Sequence, residues 1–298
     1  MKNKIKFYQT AVEVYKKGEN IAQALLKAGA NKSDIIEIAY ELQSGSYTSA
    51  FYKSEFGAIR NKALHVIIEK YCRLDEVSSV GVFGVGEAVN WIGFNGCIDN
   101  FYGVELSYSR LKYADNNLSK LKGIGHRTLI KGDASEVIFN DNSFDLSITL
   151  HSIEPNGNEQ GTQMLHNVVN SSSKYVLLFE PDYLTAPESM KVRMKSHDYV
   201  CNISEELEKI DSIRIVDKFN LDIQGNSDNL TTCWMIEKID KNNSLKVKTI
   251  CPFSYDELID YENTKYSKMS GLAYPIINNF VFLNKNDAIF VGRHEEPR

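Results

Sequence analysis

The sequence predicts an α/β protein with a doubly wound, mostly parallel sheet. Through the middle of the chain, from about residue 77 to 239, short β-branched runs alternate with helical stretches. The residues before this region show helical periodicity and no strand signal, and those after it form short β-like runs among turns. We therefore expect three parts: a helical cap or lid (1–72), a central sheet domain (73–240) and a small β-rich tail (245–298).

Apolar spacing predicts the helices of the cap. One apolar face recurs at i, i+3, i+4 and i+7, at Ile35, Ile38, Ala39 and Leu42. Asp34, just before this face, is typical of a helix start. Residues 44–48 (Ser-Gly-Ser-Tyr-Thr) break the pattern, and a longer amphipathic helix is predicted from about Ser54 to Tyr71.

Seven runs of strand-forming residues predict the sheet. They are Ser79–Phe83, Asn100–Val104, Arg127–Lys131, Phe144–Leu150, Tyr175–Phe179, Ile213–Phe219 and Thr232–Ile239. The first five alternate with helical stretches, which predicts parallel strands. The last two have no helical pattern between them, so we expect an antiparallel pair at one edge of a seven-stranded sheet.

The composition narrows the class of protein. A hydrophobic content of 43% and a formal charge of −5 are ordinary for a soluble globular protein. The densest basic cluster has three positive residues in five, at 191–195. Sequence-independent binding of nucleic acid needs many Lys and Arg side chains to neutralise phosphates, so this function is disfavoured. The five cysteines are scattered, and neither a signal peptide nor an apolar run of about 18 residues occurs, so the expected location is the cytoplasm, without a membrane partner.

Three predicted strands end in turns that suit an adenosine. Gly84-Val85-Gly86 lets backbone approach a ligand closely, although a lone Gly-x-Gly also occurs in ordinary turns. Glu105, 19 residues after Gly86, can accept both ribose hydroxyls, and Asp133 ends the third strand. Val89 stands at the third glycine position of a dinucleotide fingerprint, which argues against a nicotinamide oxidoreductase.

Taken together, the three turns resemble those of the class I S-adenosylmethionine-dependent methyltransferases, over about 160 residues. The resemblance implies S-adenosyl-L-methionine as the cofactor, with Glu105 on the ribose and Asp133 on the adenine amino group. It also implies cofactor contacts from the neighbouring residues of the strand-end turns, namely Gly84, Val85, Gly86, Leu106, Ala134 and Leu150.

Val82 departs from the family pattern. Family members usually carry Asp or Glu at this position, under the methionine end of the cofactor, where the acid helps to hold the ammonium group. The loss of this acid weakens cofactor binding, or another acid compensates, Glu87 being the nearest in sequence. A third alternative is a protein that binds S-adenosylmethionine without turning it over.

The turn after the fourth strand contains the catalytic candidates. Ligands of parallel sheets bind beyond the carboxyl ends of the strands, so His151 and Glu154 are expected to face the methyl group. Methyl transfer to a hydroxyl needs a positioned acceptor and a base, and we assign the base to His151. A histidine that is hydrogen-bonded to structure or packed on the adenosyl group explains it equally well. Glu154 is expected to bind an acceptor hydroxyl or cation.

Two further segments have open interpretations. In similar enzymes an N-terminal helical segment covers the cofactor, which would make Gln43 and Tyr47 lid residues, although interhelical turn chemistry explains both as well. After the fifth strand, Glu180 and Asp182 either line the acceptor pocket or cap a loop.

The tail resembles a degenerate form of a small zinc-ribbon-like module that accompanies some methyltransferases. The similarity covers about 40 residues, in Cys251–Leu258, Gly271–Ile276 and Asn279–Leu283. A structural zinc site needs four ligands, usually paired as Cys-x-x-Cys, and here Ser254 replaces the second cysteine. We therefore expect no metal, and a role in packing or in acceptor contacts.

Three functions remain compatible with the sequence. The preferred one is O-methylation of a small molecule, with a sugar or sugar-linked acceptor. A non-catalytic binding or scaffold protein that retains the fold is the alternative from another class, and S-adenosylmethionine binding without turnover of any acceptor would favour it. A protein or tRNA methyltransferase is the third, and loss of activity after RNase treatment of the acceptor would support RNA.

Overall fold

The computed structural model describes residues 2–226, 228–241 and 244–292. Its helices are α1 (Lys2–Lys16), α2 (Ile21–Lys27), α3 (Lys32–Leu42), α4 (Ser46–Lys53), α5 (Glu55–Tyr71), α6 (Tyr108–Leu118), α7 (Gly157–Ser171), α8 (Glu188–Ser196) and α9 (Ile203–Leu207). Its strands are β1 (Ser79–Phe83), β2 (Ile98–Glu105), β3 (Ile124–Lys131), β4 (Phe144–Leu150), β5 (Ser172–Glu180), β6 (Ile213–Asn220), β7 (Thr232–Lys238), β8 (Ile259–Tyr261), β9 (Thr264–Tyr266), β10 (Leu272–Ile277), β11 (Phe280–Phe282) and β12 (Ile289–Phe290).

The strands confirm the predicted α/β class with a mostly parallel sheet. The strand order is β6-β7-β5-β4-β1-β2-β3-β11-β10-β9-β8, and β12 pairs with β10. Strands β1 to β5 are mutually parallel, whereas β7 runs antiparallel to β5 and β6 antiparallel to β7, as expected for the edge pair.

The sheet is larger than the seven strands predicted, because the tail extends it. Strand β11 pairs in parallel with β3, with Val281 opposite Ile130 and Phe282 opposite Lys131. A β3 edge left open would present unpaired backbone N–H and C=O groups, and β11 satisfies part of that edge. The tail therefore continues the sheet instead of standing apart from it.

The core lies on both faces of the parallel strands, as it does in other sheets covered by helices. All five residues of β1 are buried. Val80 and Val82 belong to one apolar cluster, whereas Phe83 belongs to the cluster on the other face. Because both faces are covered, the carboxyl ends of the strands are the part of the sheet open to a ligand.

The cap has its own small core. Helices α1, α2 and α3 bury a separate cluster that includes Phe7, Leu25 and Ile38. The start of α3 lies earlier than predicted, because the Asn31 side chain caps it by accepting from the N–H of Asp34 at 2.8 Å. The predicted break after α3 is also shorter, since α4 begins at Ser46.

The helices are of ordinary length for a globular domain, the longest being α5 with 17 residues. Within the described ranges, none combines the length and the hydropathy that crossing a bilayer requires.

Candidate active site

A cavity of about 540 Å³ lies at the carboxyl ends of the parallel strands. The predicted site residues that line it come from five separate segments and are Tyr47, Gly84, Val85, Gly86, Glu105, Leu106, Asp133, Ala134, Leu150, His151 and Glu154. Gln43 is not among the lining residues. It follows the last residue of α3, where its N–H donates to Ala39 O, so turn chemistry accounts for its position.

The turn after β1 requires its glycines. Gly84 has φ +75°, and a Cβ atom there would lie 2.2 Å from Cβ of Ser152. Gly86 has φ +59°, and a Cβ atom there would lie 2.8 Å from Nη2 of Arg110. The chain continues from this turn into a single 3-10 turn, Val89–Trp91, and then into β2, with no α-helix between these two strands.

Glu105 holds the glycine turn in place. Its Oε2 accepts from Gly86 N at 3.0 Å, and its Oε1 accepts from Ser107 N at 2.9 Å. Each carboxylate oxygen has two lone pairs, so both can still accept a ribose hydroxyl. The residue is buried, and it lies at the end of β2, where the sequence places the ribose.

Arg110 is a residue of the site that no sequence pattern indicated. Its guanidinium lies between the rings of Tyr40 and Tyr47, 4.4 and 4.8 Å from their centroids, and its Nη1 is 3.8 Å from Glu105 Oε2. Burial alone lowers the pKa of Arg110, but Glu105, Tyr40, Tyr47 and Glu87 together outweigh burial and leave the pKa raised. The charged guanidinium thus connects Glu105 at the end of β2 to two aromatic side chains of the cap.

Asp133 is shared between its own turn and the cap. Its Oδ1 accepts from the backbone N–H and the hydroxyl of Ser135, at 2.9 and 2.6 Å. Its Oδ2 accepts from the Ser33 hydroxyl of α3 at 2.8 Å, which leaves one lone pair on Oδ2 for an adenine amino group.

The position of the missing family acid is apolar. Val82 is buried in the core and offers no charge. Glu87, the acid suggested as a substitute, is 1% exposed, and its carboxylate accepts from the N–H of Gly45 and from the N–H and hydroxyl of Thr48. Most of the hydrogen-bond accepting capacity of Glu87 is therefore taken up by the N-terminus of α4.

His151 is held at both ring nitrogens. Nδ1 lies 2.9 Å from Glu154 Oε2, and Nε2 lies 2.7 Å from Thr231 Oγ1. An ionised carboxylate only accepts, so the network assigns the proton to Nδ1 and makes Nε2 the acceptor of the Thr231 hydroxyl. The residue has φ +50°, a conformation that non-glycine residues seldom adopt and that is often found at functional sites.

Glu154 is kept as a carboxylate. Burial alone raises its pKa, but His151, Asn229 and Arg193 together outweigh burial and leave the pKa lowered. The Asn229 amide donates to Glu154 Oε1 at 3.3 Å. This pair matches the arrangement in which a carboxylate orients a histidine base.

Of the two acids at the end of β5, Glu180 supports the turn that follows β4. Glu180 accepts from the N–H groups of Ser152, Ile153 and Glu154 at 2.9 to 3.2 Å, and burial raises its pKa. Asp182 is paired with Lys218 at 2.8 Å. Neither acid lines the cavity, so both cap loops.

The tail places Cys251 among hydroxyl groups. Its Sγ lies 3.3 Å from the Tyr274 hydroxyl and 3.6 Å from that of Ser270. In residues 2–226, 228–241 and 244–292, no group of three or more His, Cys, Asp or Glu side chains is arranged to hold a metal ion. The absence of zinc from this module stays a prediction.

Comparisons with known proteins agree with this geometry. Residues 79–169 match the sequence model of a family described as "Methyltransferase domain". The search of curated proteins gave no match. Magnesium protoporphyrin IX methyltransferase (ChlM) from Synechocystis PCC 6803, solved with bound SAH, is 12% identical and has a TM-score of 0.52, covering 70% of this chain and 100% of that one.

The same enzyme with bound SAM has the same identity and TM-score, covering 70% of this chain and 98% of that one. N-methyltransferase NodS from Bradyrhizobium japonicum WM9, solved with S-adenosyl-L-homocysteine, is 10% identical with a TM-score of 0.49 over 64% of this chain and 91% of that one. The matched family segment contains the glycine turn and both strand-end acids, and the fold agrees with it. Residues 79–169 of this chain are therefore a methyltransferase domain, and the fold around it is that of the class I S-adenosylmethionine-dependent methyltransferases.

Proposed function

We propose that this methyltransferase acts on a hydroxyl group of a small molecule, with a sugar or sugar-linked compound as the acceptor. One observation carries the proposal: His151 has Nδ1 fixed by Glu154 and Nε2 directed at a hydroxyl, that of Thr231, beside the cavity. This is the orientation in which a neutral imidazole accepts a proton from an alcohol.

The Thr231 hydroxyl marks the place of the acceptor hydroxyl. An acceptor that displaces this hydrogen bond puts its own O–H on Nε2, and the imidazole takes the proton as the oxygen is methylated. Glu154, kept ionised, stabilises the imidazolium that results. When bound, S-adenosylmethionine supplies the methyl group, and we assign its adenosine to the glycine turn, Glu105 and Asp133.

The residues that line the cavity suit a compact polar acceptor. Five asparagines line it, together with Phe51 and Phe56; they are Asn61, Asn90, Asn156, Asn226 and Asn229. Amides both donate to and accept from hydroxyl groups, and aromatic rings pack on the apolar faces of sugars. The volume of about 540 Å³ lies within the range of small-molecule and cofactor sites.

The net charge and the free cysteines are consistent with an acceptor other than nucleic acid and with a reducing compartment. A net charge of −5 opposes a nucleic-acid acceptor, since such binding depends on neutralising phosphates. All five cysteines are free, as expected of a protein in the reducing cytoplasm.

The test uses methyl-labelled S-adenosylmethionine with a panel of monosaccharides, oligosaccharides and non-sugar alcohols. With an active acceptor, His151→Ala is expected to lower kcat by about 10²–10⁴-fold while the Kd of S-adenosylhomocysteine stays unchanged. His126→Ala, at an exposed histidine of β3, is the matched control and keeps full activity.

The chemistry of the product tests the acceptor class. A sugar methyl ether keeps its label through alkaline hydrolysis and is recovered in the carbohydrate fraction. Label that appears in protein, or that RNase releases, contradicts the proposal. Equal losses of turnover and cofactor binding in His151→Ala would assign the histidine to packing instead.

A further inference from the structure

Two acids line the cavity beside the glycine turn, and one of them, Glu105, accepts from the N–H groups of Gly86 and Ser107 and lies 3.8 Å from Arg110. Val82 replaces the family acid with an apolar side chain inside the core. The carboxylate of Glu87 is engaged by three hydrogen bonds from the start of α4. A cofactor ammonium placed at this turn therefore meets neither the usual acid nor a ready substitute.

A positive charge lies at the same turn. Arg60 of α5 lines the cavity, and its Nη1 donates to Oδ1 of Asn90, a residue of the 3-10 turn that follows the glycines, at 3.3 Å. Across the described ranges, no carboxylate forms an ion pair with Arg60, whereas Arg110, the other arginine of the cavity, is paired with Glu105. Burial lowers the pKa of Arg60, because water is removed from the guanidinium without a carboxylate in its place.

The position of Arg60 is fixed by its neighbour. The side-chain amide of Asn61 donates to Val89 O at 2.7 Å and to Ile92 O at 3.0 Å. Asn61 is buried, and its two hydrogen bonds hold α5 against the segment that follows the glycine turn. Arg60 therefore stays beside this turn without an acid to hold it there.

An arginine in this position is suited to one group of the cofactor. A guanidinium presents a planar fork of donors that matches a carboxylate, with two parallel hydrogen bonds. S-adenosylmethionine has a single carboxylate, at its methionyl end. With the adenosine on Glu105 and Asp133, that end reaches the turn after β1, because β1, β2 and β3 are adjacent strands about 4.8 Å apart.

We propose that this chain holds the methionyl end of its cofactor by the carboxylate, at Arg60, in place of an acid on the ammonium. The inference rests on the proposed placement of the cofactor. It explains why an apolar residue, Val82, can stand where the family has an acid: the protein binds the carboxylate of the cofactor, so its ammonium group needs no acid. Arg60 is then a specificity residue of the cofactor site, and the ammonium contributes little to affinity.

Titration calorimetry with three ligands tests the proposal: S-adenosylhomocysteine, its decarboxylated analogue and its deaminated analogue. For the wild-type protein, loss of the carboxylate is expected to raise Kd about tenfold or more, as for a lost charge-assisted contact, and loss of the amine by no more than about threefold. Arg60→Met is expected to bind S-adenosylhomocysteine as weakly as the wild type binds the decarboxylated analogue. Arg73→Met, at an exposed arginine, is the control and changes none of the three constants.

The outcomes separate this inference from the proposed function. Wild-type protein that loses more affinity without the amine than without the carboxylate overturns the inference. Arg60→Met that binds all three ligands normally, but has a raised KM for the acceptor, overturns it too, since the guanidinium then serves the acceptor. If Arg60→Met does not fold, the wild-type comparison alone decides. Absence of transfer to any hydroxyl, with these affinities as expected, contradicts only the proposed function.

Discussion

Glu87 accepts two hydrogen bonds from Thr48, one from its backbone N–H at 2.7 Å and one from its hydroxyl at 2.5 Å. The pair joins the segment after β1 to the first turn of α4, where a carboxylate also interacts favourably with the helix N-terminus. Since α4 carries Tyr47, whose ring packs on Arg110, the cap and the glycine turn form one connected unit around the cavity.

Glu87→Gln is expected to loosen this connection. An amide has one oxygen where the carboxylate has two, so its NH₂ group faces a backbone N–H. The free energy of unfolding is expected to fall by about 1–3 kcal/mol, measured by urea denaturation, and the Kd of S-adenosylhomocysteine to rise with it. Glu13→Gln, at an exposed glutamate of α1, is the matched control. An unchanged stability would show that the bonds of Glu87 contribute nothing net.

Glu105→Ala tests the assignment of the ribose. We expect S-adenosylhomocysteine to bind about tenfold more weakly or worse, because the ribose loses its acceptor and Gly86 N–H loses the bond that fixes the turn. Calorimetry measures the change, with Glu69→Ala on the exposed face of α5 as the control. A dissociation constant equal to that of the wild type would rule out the ribose contact.

Local signals account for the parts of this fold that the sequence predicts well. The predicted bounds of β1 and β4 coincide with those observed, because a short β-branched run and its turn lie within a few residues of each other. The strand-end turns were predictable for the same reason. Each turn depends on a few consecutive residues, either glycines that adopt a positive φ or a carboxylate at the end of the strand. The tail run 279–283 also contains a strand, β11, but no local signal indicates its pairing with β3, which lies about 150 residues earlier.

Long-range side-chain contacts account for the rest of the site. Glu87 meets Thr48 across 39 residues, and Arg110 packs on a tyrosine 70 residues before it, Tyr40. No periodicity relates such positions, since each pair depends on how the cap docks onto the sheet. Arg60 is a similar case: in the sequence it is one polar residue of an amphipathic helix, and only the fold brings it to the glycine turn.

Asp145 makes stability depend on pH at the amino ends of the parallel strands, the opposite end of the sheet from the cavity. Its side chain is 2% exposed and accepts from the N–H groups of Ser78 and Ser79, both at 3.0 Å, with Lys174 at 2.9 Å. Burial alone raises its pKa, but Lys174 and the two N–H groups outweigh burial and leave the pKa below its ordinary value of 3.8. A lowered pKa means that the carboxylate stabilises the fold above the unfolded pKa, and that this contribution is lost as pH falls through the folded one.

Asp145→Asn is therefore expected to destabilise the protein by a constant amount between about pH 5 and 7, and by a decreasing amount below pH 3.8. Denaturant unfolding across this range measures the difference, with the exposed Asp141→Asn as the control. A difference that grows on acidification would have the wrong sign for this explanation.

Gly84 and Gly93 offer a matched pair for the glycine turn. Both have positive φ, +75° and +87°, but an added Cβ meets Ser152 Cβ at 2.2 Å only at Gly84, whereas nothing lies within 4 Å at Gly93. Gly93→Ala is expected to cost the backbone strain alone, roughly 1–2 kcal/mol of unfolding free energy. Gly84→Ala adds a clash that must displace Ser152, and with it the turn that holds His151 and Glu154.

Gly84→Ala is therefore expected to lose more stability than Gly93→Ala, and activity as well, which denaturation and initial rates together measure. Ser152→Gly in the Gly84→Ala background removes the clashing atom and should restore part of both. Ser152→Gly alone also loses the hydrogen bond from its hydroxyl to Phe83 O at 2.7 Å. The double-mutant cycle subtracts this loss and so isolates the contact between residues 84 and 152. Additive losses in the cycle would mean that the two residues do not meet, and that backbone strain is the whole reason for glycine at position 84.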